Sequence, residues 1–213
     1  MPKRHSQCIL LYTRNLKMMA RDMTANESQL LEILRERSFK RGTFTLASGN
    51  TSDHYIDGKM SLVFSASARL IGEVLYERTA NLEIEAIGGL EVGAVPMATA
   101  AVIAYDERGQ TMEGFWVRDK AKNHGTKKIV EGGLRPGMRV VIVDDVFTKG
   151  ESAMKAVRAV REMGCEVVMV LALVDRLAGA RKLFEREEVN YQTVFDITEF
   201  GVEVADGQLA SVG

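Results

Sequence analysis

The sequence predicts an α/β protein built on a central, mostly parallel β-sheet with helices on both faces. Segments of strand length alternate with segments of helical periodicity through most of the 213 residues. The central strands, at residues 140–143 and 167–174, are continuously apolar instead of alternating between apolar and polar residues. Such strands are buried on both faces, as in parallel sheets that helices cover on both sides.

A helix and two strands are predicted ahead of the main sheet. Thr24 and Glu27 fit a capping box, and three leucines on one helix face follow, so we expect a helix from residue 24 to about Phe39. Residues 43–46 favour a strand, and residues 54–58 favour its partner across a serine-glycine-asparagine turn.

The remaining elements alternate between helix and strand. They are a helix at 66–79, a strand, glycine loop and helix within 83–104, a strand at 112–119, a strand at 140–143, a helix at 152–163, a strand at 167–174, a helix at 178–188 and a strand at 191–197. Residues 120–133 are polar and rich in glycine, which predicts a loop. Ligands of such sheets bind beyond the carboxyl ends of the strands. We therefore expect the chemistry in four loops, which begin at Gly88, Arg118, Asp144 and Asp175.

Composition and charge exclude several classes of function. The 28 basic and 29 acidic residues leave a net charge of −1, which gives no general attraction to nucleic acid or to a membrane surface. No apolar run approaches the length of a membrane span. The two cysteines, Cys8 and Cys165, have no metal-binding spacing and indicate free thiols in a reducing compartment. These features predict a cytoplasmic protein with small-molecule ligands.

The chain is predicted to hold one domain after an extension. Residues 1–23 are basic and are expected to be disordered, although a transit peptide or a later start codon would also fit their composition. Residues 24–213 form the domain, with residues 24–65 as an N-terminal segment and residues 66–200 as the core.

The stretch "RVVIVDDVFTKGES", residues 139–152, carries two kinds of chemistry side by side. Asp144 and Asp145 end an apolar strand and can accept hydrogen bonds from sugar hydroxyls or lie near a magnesium ion. Thr148 and Ser152 lie where a helix begins, and free N–H groups and the helix dipole there favour phosphate. Together they suggest a ribose 5-phosphate ligand. The alternative is a strand that ends at solvent, with the aspartates capping the next helix.

This stretch resembles the phosphoribosyl pyrophosphate (PRPP) binding signature of the type I phosphoribosyltransferases. The resemblance implies that family's fold, including a small N-terminal hood of helix and strands. It implies that Asp144 and Asp145 hold the ribose hydroxyls. It also implies a loop around the 5-phosphate, formed by Val146, Phe147, Thr148, Lys149, Gly150, Glu151 and Ser152. Glu151 departs from the family's small residue, and we expect it to point outward, where a helix N-terminus favours negative charge.

A basic stretch, "VRDKAKNHG", follows a predicted strand. On its residues alone it could be a solvated loop or a cationic lid, and a nucleic-acid patch would need stacking aromatics that the stretch lacks. It is similar to the R-K-x-x-K-x-H-G loop of orotate phosphoribosyltransferases. The matching positions are Arg118, Lys122, His124 and Gly125. Asp119 takes the second basic position, and Lys120 is expected to replace it. In that family the loop reaches the neighbouring subunit's site, which implies a homodimer.

Two further stretches resemble the orotate enzymes. "FTLASGNTSDHYIDGK" is similar to the family's segment beside the base, although Ala47 stands where some members have lysine. In "ALVDR", Arg176 stands where the family has an arginine near orotate; the alternative is a surface arginine. The family's pyrophosphate loop corresponds to residues 88–93, with Glu91 in place of a lysine. The residues expected to bind orotate are Ser48, Gly49, Lys59, Thr148 and Arg176.

The resemblance, over roughly residues 27–200, implies transfer of ribose 5-phosphate from PRPP to N1 of orotate in pyrimidine biosynthesis. The catalytic residues would be Arg118, Lys122, His124, Asp144 and Asp145, with Lys120 also contacting PRPP. Mg²⁺ would be bound mainly through the substrate, with no direct protein ligand assigned. Two alternatives remain: a phosphoribosyltransferase for another base such as a purine, and a non-catalytic regulator that senses PRPP.

Overall fold

A six-stranded sheet in the order β5-β4-β3-β6-β7-β8 forms the centre of the molecule in a computed structural model that describes residues 22–45, 51–120 and 128–204. All neighbouring strands are parallel except β4 and β5. The strands are β3 (Ala86–Leu90), β4 (Glu113–Val117), β5 (Val130–Gly132), β6 (Arg139–Phe147), β7 (Glu166–Asp175) and β8 (Tyr191–Asp196). The predicted fold class is confirmed.

Helices cover both faces of this sheet. They are α1 (Ala25–Arg37), α2 (Lys59–Leu62), α3 (Ser65–Thr79), α4 (Ala94–Asp106), α5 (Glu151–Glu162) and α6 (Ala180–Arg186), followed after β8 by a 3₁₀ helix (Ile197–Phe200). Val141 and Val143 of β6 pack into the core beneath α1, α3 and α4, whereas Val140 and Ile142 pack into the core beneath α5 and α6. This double burial explains the uninterrupted apolar sequence. Among the described residues, no helix is long and apolar enough to span a membrane.

A small antiparallel pair, β1 (Phe39–Thr45) and β2 (Thr51–Ile56), lies outside the main sheet. The capping box of Thr24 and Glu27 is confirmed, because Glu27 N–H donates to the Thr24 hydroxyl and Thr24 N–H donates to the Glu27 carboxylate. The helix ends at Arg37, two residues earlier than predicted, because Phe39 already pairs with Ile56. The predicted extension, apart from its last two residues, lies outside the described ranges.

Three predicted boundaries are wrong, each because of pairing between distant segments. β6 continues to Phe147, since β7 runs beside it as far as Asp175, so Asp144 lies within a strand and not at the start of a loop. Gly88 likewise lies inside β3. Residues 130–132, predicted as part of a loop, form β5 against β4. That strand has only three residues and no apolar alternation, so the sequence gives no signal for it.

Candidate active site

The carboxylates at the end of β6 face different surroundings. Successive side chains of a strand point to opposite faces, and Asp144 lines a cavity of about 680 Å³ beside the start of α5. Asp145 instead lies between two glycines. A Cβ atom added to Gly58 would come within 2.6 Å of one Asp145 carboxylate oxygen, and one added to Gly93 within 2.7 Å of the other. Only glycine at those positions lets both main chains approach the carboxylate so closely.

The local electrostatics distinguish the pair further. Burial, together with the adjacent charge of Asp145, raises the pKa of Asp144 to about 8. The Asp145 main-chain N–H donates to Asp144 Oδ1 over 3.0 Å and offsets part of this shift. Partial burial lowers the pKa of Lys59, but the carboxylates of Asp145 and Asp57 outweigh that effect and leave the pKa above its usual value. Lys59 is therefore a neighbour of Asp145, and it is not among the residues that line the cavity.

The turn between β6 and α5 is shaped to hold an anion. Thr148, Lys149 and Ser152 line the same cavity as Asp144, at the N-terminus of α5. Gly150 precedes the helix with φ of 77°, and a Cβ atom there would lie 2.8 Å from the ring of Phe184. The first N–H groups of a helix have no partners within the helix, so they and the positive end of the dipole favour a phosphate group.

Phe147 and Glu151 differ from the other residues of this loop in how far their side chains are buried. The side chain of Phe147 is fully buried and packs on Phe184, with ring centroids 5.0 Å apart, so only its main chain could contact a ligand. Glu151 is exposed at the first position of α5 and is among the residues that line the cavity, so its predicted outward direction stays a prediction.

Arg176 follows β7 and brings a positive charge to the same cavity. Its main-chain N–H donates to the Phe147 carbonyl over 2.9 Å, which ties this turn to the end of β6. Its Nε is buried and has no hydrogen-bond partner among the described residues. A buried guanidinium donor without a partner costs free energy, and an anionic ligand in the cavity would supply the missing acceptor. The alternative of a simple surface arginine does not fit this burial.

The β1–β2 pair contributes two residues to the cavity that the sequence analysis did not assign, Thr45 and Tyr55. Both belong to the stretch that resembles the family's segment beside the base. That resemblance is the sequence feature that could have identified Thr45 and Tyr55 as cavity residues. Ser48 and Gly49, which were assigned, lie outside the described residues.

Arg118 lies apart from this cavity, at the end of β4. Its Nε donates to Glu131 over 3.0 Å, and its Nη1 lies 3.8 Å from the Glu91 carboxylate. The next residue, Asp119, forms an ion pair with Lys155 of α5 at 2.7 Å. The basic stretch therefore begins with its charges already paired. Lys120 is exposed, and the predicted contacts Lys122, His124 and Gly125 lie outside the described residues.

The carboxylates suit a magnesium ion only as part of a larger set of ligands. Among the described residues no three histidine, cysteine, aspartate or glutamate side chains form a cluster that could hold a metal. Magnesium prefers six oxygen ligands and commonly takes one or two carboxylates together with waters and substrate phosphates. Asp144, which lines the cavity, fits that second arrangement, whereas Asp145 is enclosed by Gly58 and Gly93.

Comparisons with known proteins agree with this geometry. A family model for the phosphoribosyl transferase domain matches residues 60–205. The orotate phosphoribosyltransferase of Bradyrhizobium diazoefficiens is 44% identical over 181 residues, which cover 83% of this chain and 97% of that protein. A crystal structure of Mycobacterium tuberculosis orotate phosphoribosyltransferase in complex with PRPP has a TM-score of 0.71 and 35% identity, and it covers 83% of this chain and 99% of that one.

Proposed function

Because this chain belongs to the orotate phosphoribosyltransferase family, we infer that it transfers ribose 5-phosphate from PRPP to N1 of orotate. The products are orotidine 5-monophosphate and pyrophosphate, a step of pyrimidine synthesis. The bond between the anomeric carbon and the pyrophosphate oxygen breaks, a bond to N1 forms, and the N1 proton passes to solvent. The observation that carries this inference is one cavity lined by a helix N-terminus, a carboxylate and an arginine whose buried Nε has no partner among the described residues.

Each wall of the cavity suits one part of the substrates. The turn at Thr148 and Ser152 would hold the 5-phosphate, and Asp144 would accept hydrogen bonds from the ribose hydroxyls. Asp145, which was predicted to share that role, is not among the described residues that line the cavity. Positive charge develops on the ribose ring as the bond breaks, and nearby carboxylates favour that charge. The charge of Arg176 would bind the orotate carboxylate and fix which face of the base meets the anomeric carbon.

We propose that Mg²⁺ would be held mainly through PRPP, with Asp144 as the cavity carboxylate that this chain would supply. When bound, it would neutralise charge on the leaving pyrophosphate. The raised pKa of Asp144 means that the free site retains a proton there near neutral pH. A cation beside the pair favours the ionised form, so binding of PRPP with magnesium should release protons. Calorimetry in buffers of different ionisation enthalpy would detect that release, and identical heats in all buffers would contradict it.

We also propose that the enzyme is a homodimer in which the stretch from Arg118 to Gly125 serves the neighbouring subunit. An apolar groove between α3 and α4 supports a second copy as partner, because Val63 and Ile103 on its walls are 80% and 54% exposed. Ile103→Glu should produce monomers in sedimentation analysis. Subunit sharing predicts that mixed dimers of Asp144→Asn and Lys122→Ala subunits recover activity that neither variant has alone.

The first experiment is an assay with PRPP, magnesium and one base at a time. Orotate absorbance should fall as orotidine monophosphate forms, with no reaction of adenine or hypoxanthine. Reaction with a purine alone, or with no base, would support one of the two alternatives instead. A cytoplasmic location stays a prediction; of the two cysteines that suggested it, Cys165 is described, and it is buried with its Sγ 3.2 Å from the Arg135 carbonyl.

A further inference from the structure

A second cavity, which the proposed reaction does not use, lies between α5 and α6 and is lined mainly by cations. Its volume of about 540 Å³ is typical of small-molecule sites. Its charged lining residues are Lys149, Lys155, Arg158, Lys182, Arg186 and a single acid, Glu151. We call this cavity the basic groove. Nothing in the proposed reaction requires so many cations on this side of the phosphate loop.

Much of the positive charge of the basic groove is not neutralised by the protein. Arg158 and Arg186 share one acid, Glu187, at 3.5 and 3.3 Å, and both guanidinium groups stay mostly exposed. Lys149 and Lys182 form no ion pair within the described ranges. Like charges held this close repel each other, and an anion between them would relieve that repulsion.

Part of the lining of the groove is uncharged. Ala178 and Gly179 are exposed and Leu183 is partly buried, while Met154 beneath them is almost fully buried. An apolar surface next to several cations suits a ligand that has a flat, weakly polar part and a chain of phosphate groups. We propose that the basic groove binds a nucleoside triphosphate, with its phosphates among the lysines and arginines and its base against Leu183, Ala178 and Gly179.

A small ligand fits better than a nucleic acid because the basic surface ends abruptly. The neighbouring hollow at the far end of α6 is lined by Glu185 and Glu188, which would repel a continuing phosphate backbone. The whole chain also carries a net charge of −1. Nucleic-acid surfaces instead extend positive charge over many phosphates.

The basic groove shares a wall with the active-site cavity. Lys149 and Glu151 line both, since they flank Gly150 at the turn into α5. A triphosphate in the groove would attract the Lys149 ammonium away from the turn that is proposed to hold the 5-phosphate. The displaced Lys149 would weaken PRPP binding, so the ligand of the basic groove would be an inhibitor that raises the KM for PRPP. This consequence rests on the proposed function.

Binding is tested directly, without an activity assay. Isothermal titration with adenosine triphosphate, uridine triphosphate and inorganic tripolyphosphate would compare the whole protein with Lys182→Gln and Arg181→Gln. Arg181 precedes Lys182 on α6 but pairs with Glu185 at 2.7 Å and does not line the groove, so it is a matched control. Loss of one exposed charge contact should raise the Kd for the triphosphates about three- to tenfold in Lys182→Gln and leave Arg181→Gln unchanged.

Equal affinities in the two variants would overturn the site. If tripolyphosphate binds as tightly as both nucleotides, the base makes no contact that contributes to affinity, and the role given to Leu183, Ala178 and Gly179 is wrong. In kinetics, Lys182→Gln should keep the basal KM for PRPP and need several-fold more nucleotide for the same inhibition. Inhibition that is identical in both variants would place the nucleotide in the active-site cavity and contradict the coupling. Absence of orotate turnover in the wild type and in every variant would disprove the proposed function. The titrations would still show whether the basic groove binds nucleoside triphosphates.

Discussion

Two arginines that follow parallel strands of one sheet, Arg176 after β7 and Arg118 after β4, are held in opposite ways. Arg176 lines the candidate active-site cavity, and its buried Nε has no hydrogen-bond partner among the described residues. Arg118 is bound by Glu131 and lies near Glu91, away from that cavity. Arg176 can therefore bind an anion without breaking an ion pair, whereas Arg118 must first separate from its acidic partners. The difference comes from the neighbours of each arginine, because both are the same residue type at the same edge of the sheet.

The largest expected effect comes from removing the ready arginine. Arg176→Ala should lower kcat/KM for orotate roughly a hundredfold, because a charge-assisted contact in a partly buried site is lost. Steady-state kinetics with varied orotate would measure it. Arg37→Ala is the matched control, since the buried Nε of Arg37 also has no partner within the described ranges, but its guanidinium carbon lies 4.0 Å from the centre of the Phe64 ring. Similar losses in both variants would mean that Arg176 acts only through stability.

The next effect concerns the turn that presents the phosphate site. Gly150→Ala should destabilise the fold by about 1–3 kcal/mol and raise the KM for PRPP. The new methyl group would clash with the Phe184 ring, and alanine would also have to adopt the left-handed backbone conformation of Gly150. Gly109 has a similar φ of 69° but no atom within 4 Å of an added Cβ. Gly109→Ala therefore isolates the backbone penalty, and denaturant unfolding would compare the two. Equal losses would show that Phe184 does not constrain the turn.

A smaller, pH-dependent effect is expected at Asp144. Its pKa in the folded protein, about 8, lies above the unfolded value of about 3.9, so the folded state binds the proton more tightly. The carboxyl therefore favours folding at low pH, and that contribution is lost as the pH rises toward 8. The asparagine of Asp144→Asn does not titrate, so the variant does not lose this stability as the pH rises. The free energy of unfolding of the variant minus that of the wild type should therefore increase by at least about 1 kcal/mol from pH 5 to pH 8. Denaturant unfolding at both pH values measures the difference, and a constant gap would contradict it.

The smallest expected effect concerns Arg118, the arginine that is paired with acidic residues. Glu131→Gln should weaken the hold on Arg118, which still lies 3.8 Å from Glu91, and lower the KM for PRPP about two- to threefold, because this half-buried ion pair no longer competes with the substrate. Glu166→Gln is the control, since it releases Arg139 from a 3.3 Å pair at the amino end of β6. An unchanged KM in Glu131→Gln would mean that the pairing of Arg118 has no bearing on PRPP.

Local patterns predicted the parts of the fold that depend on short-range rules. The Thr24 capping box, the helix at 66–79 and the double burial of β6 follow from spacing and hydrophobicity, and all three are present. The short β5 and the extension of β6 through Asp144 and Asp145 depend on pairing with a strand far along the chain, which no local pattern contains.

The sequence by itself predicted which residues would carry the chemistry: the aspartate pair, the Thr148 to Ser152 turn, and Arg176. Their order after apolar strands, together with the family resemblance, led to that prediction, because parallel strands bring their carboxyl ends to one edge of the sheet. Only the tertiary structure decided what each of them faces. It directed Asp144 into the cavity and Asp145 between two glycines, and it paired Arg118 with Glu131. It also left the Nε of Arg176 without a partner in the part of the chain that the structure describes. The charge and reach of a side chain are fixed by its type, but its partners come from distant segments that only folding brings together.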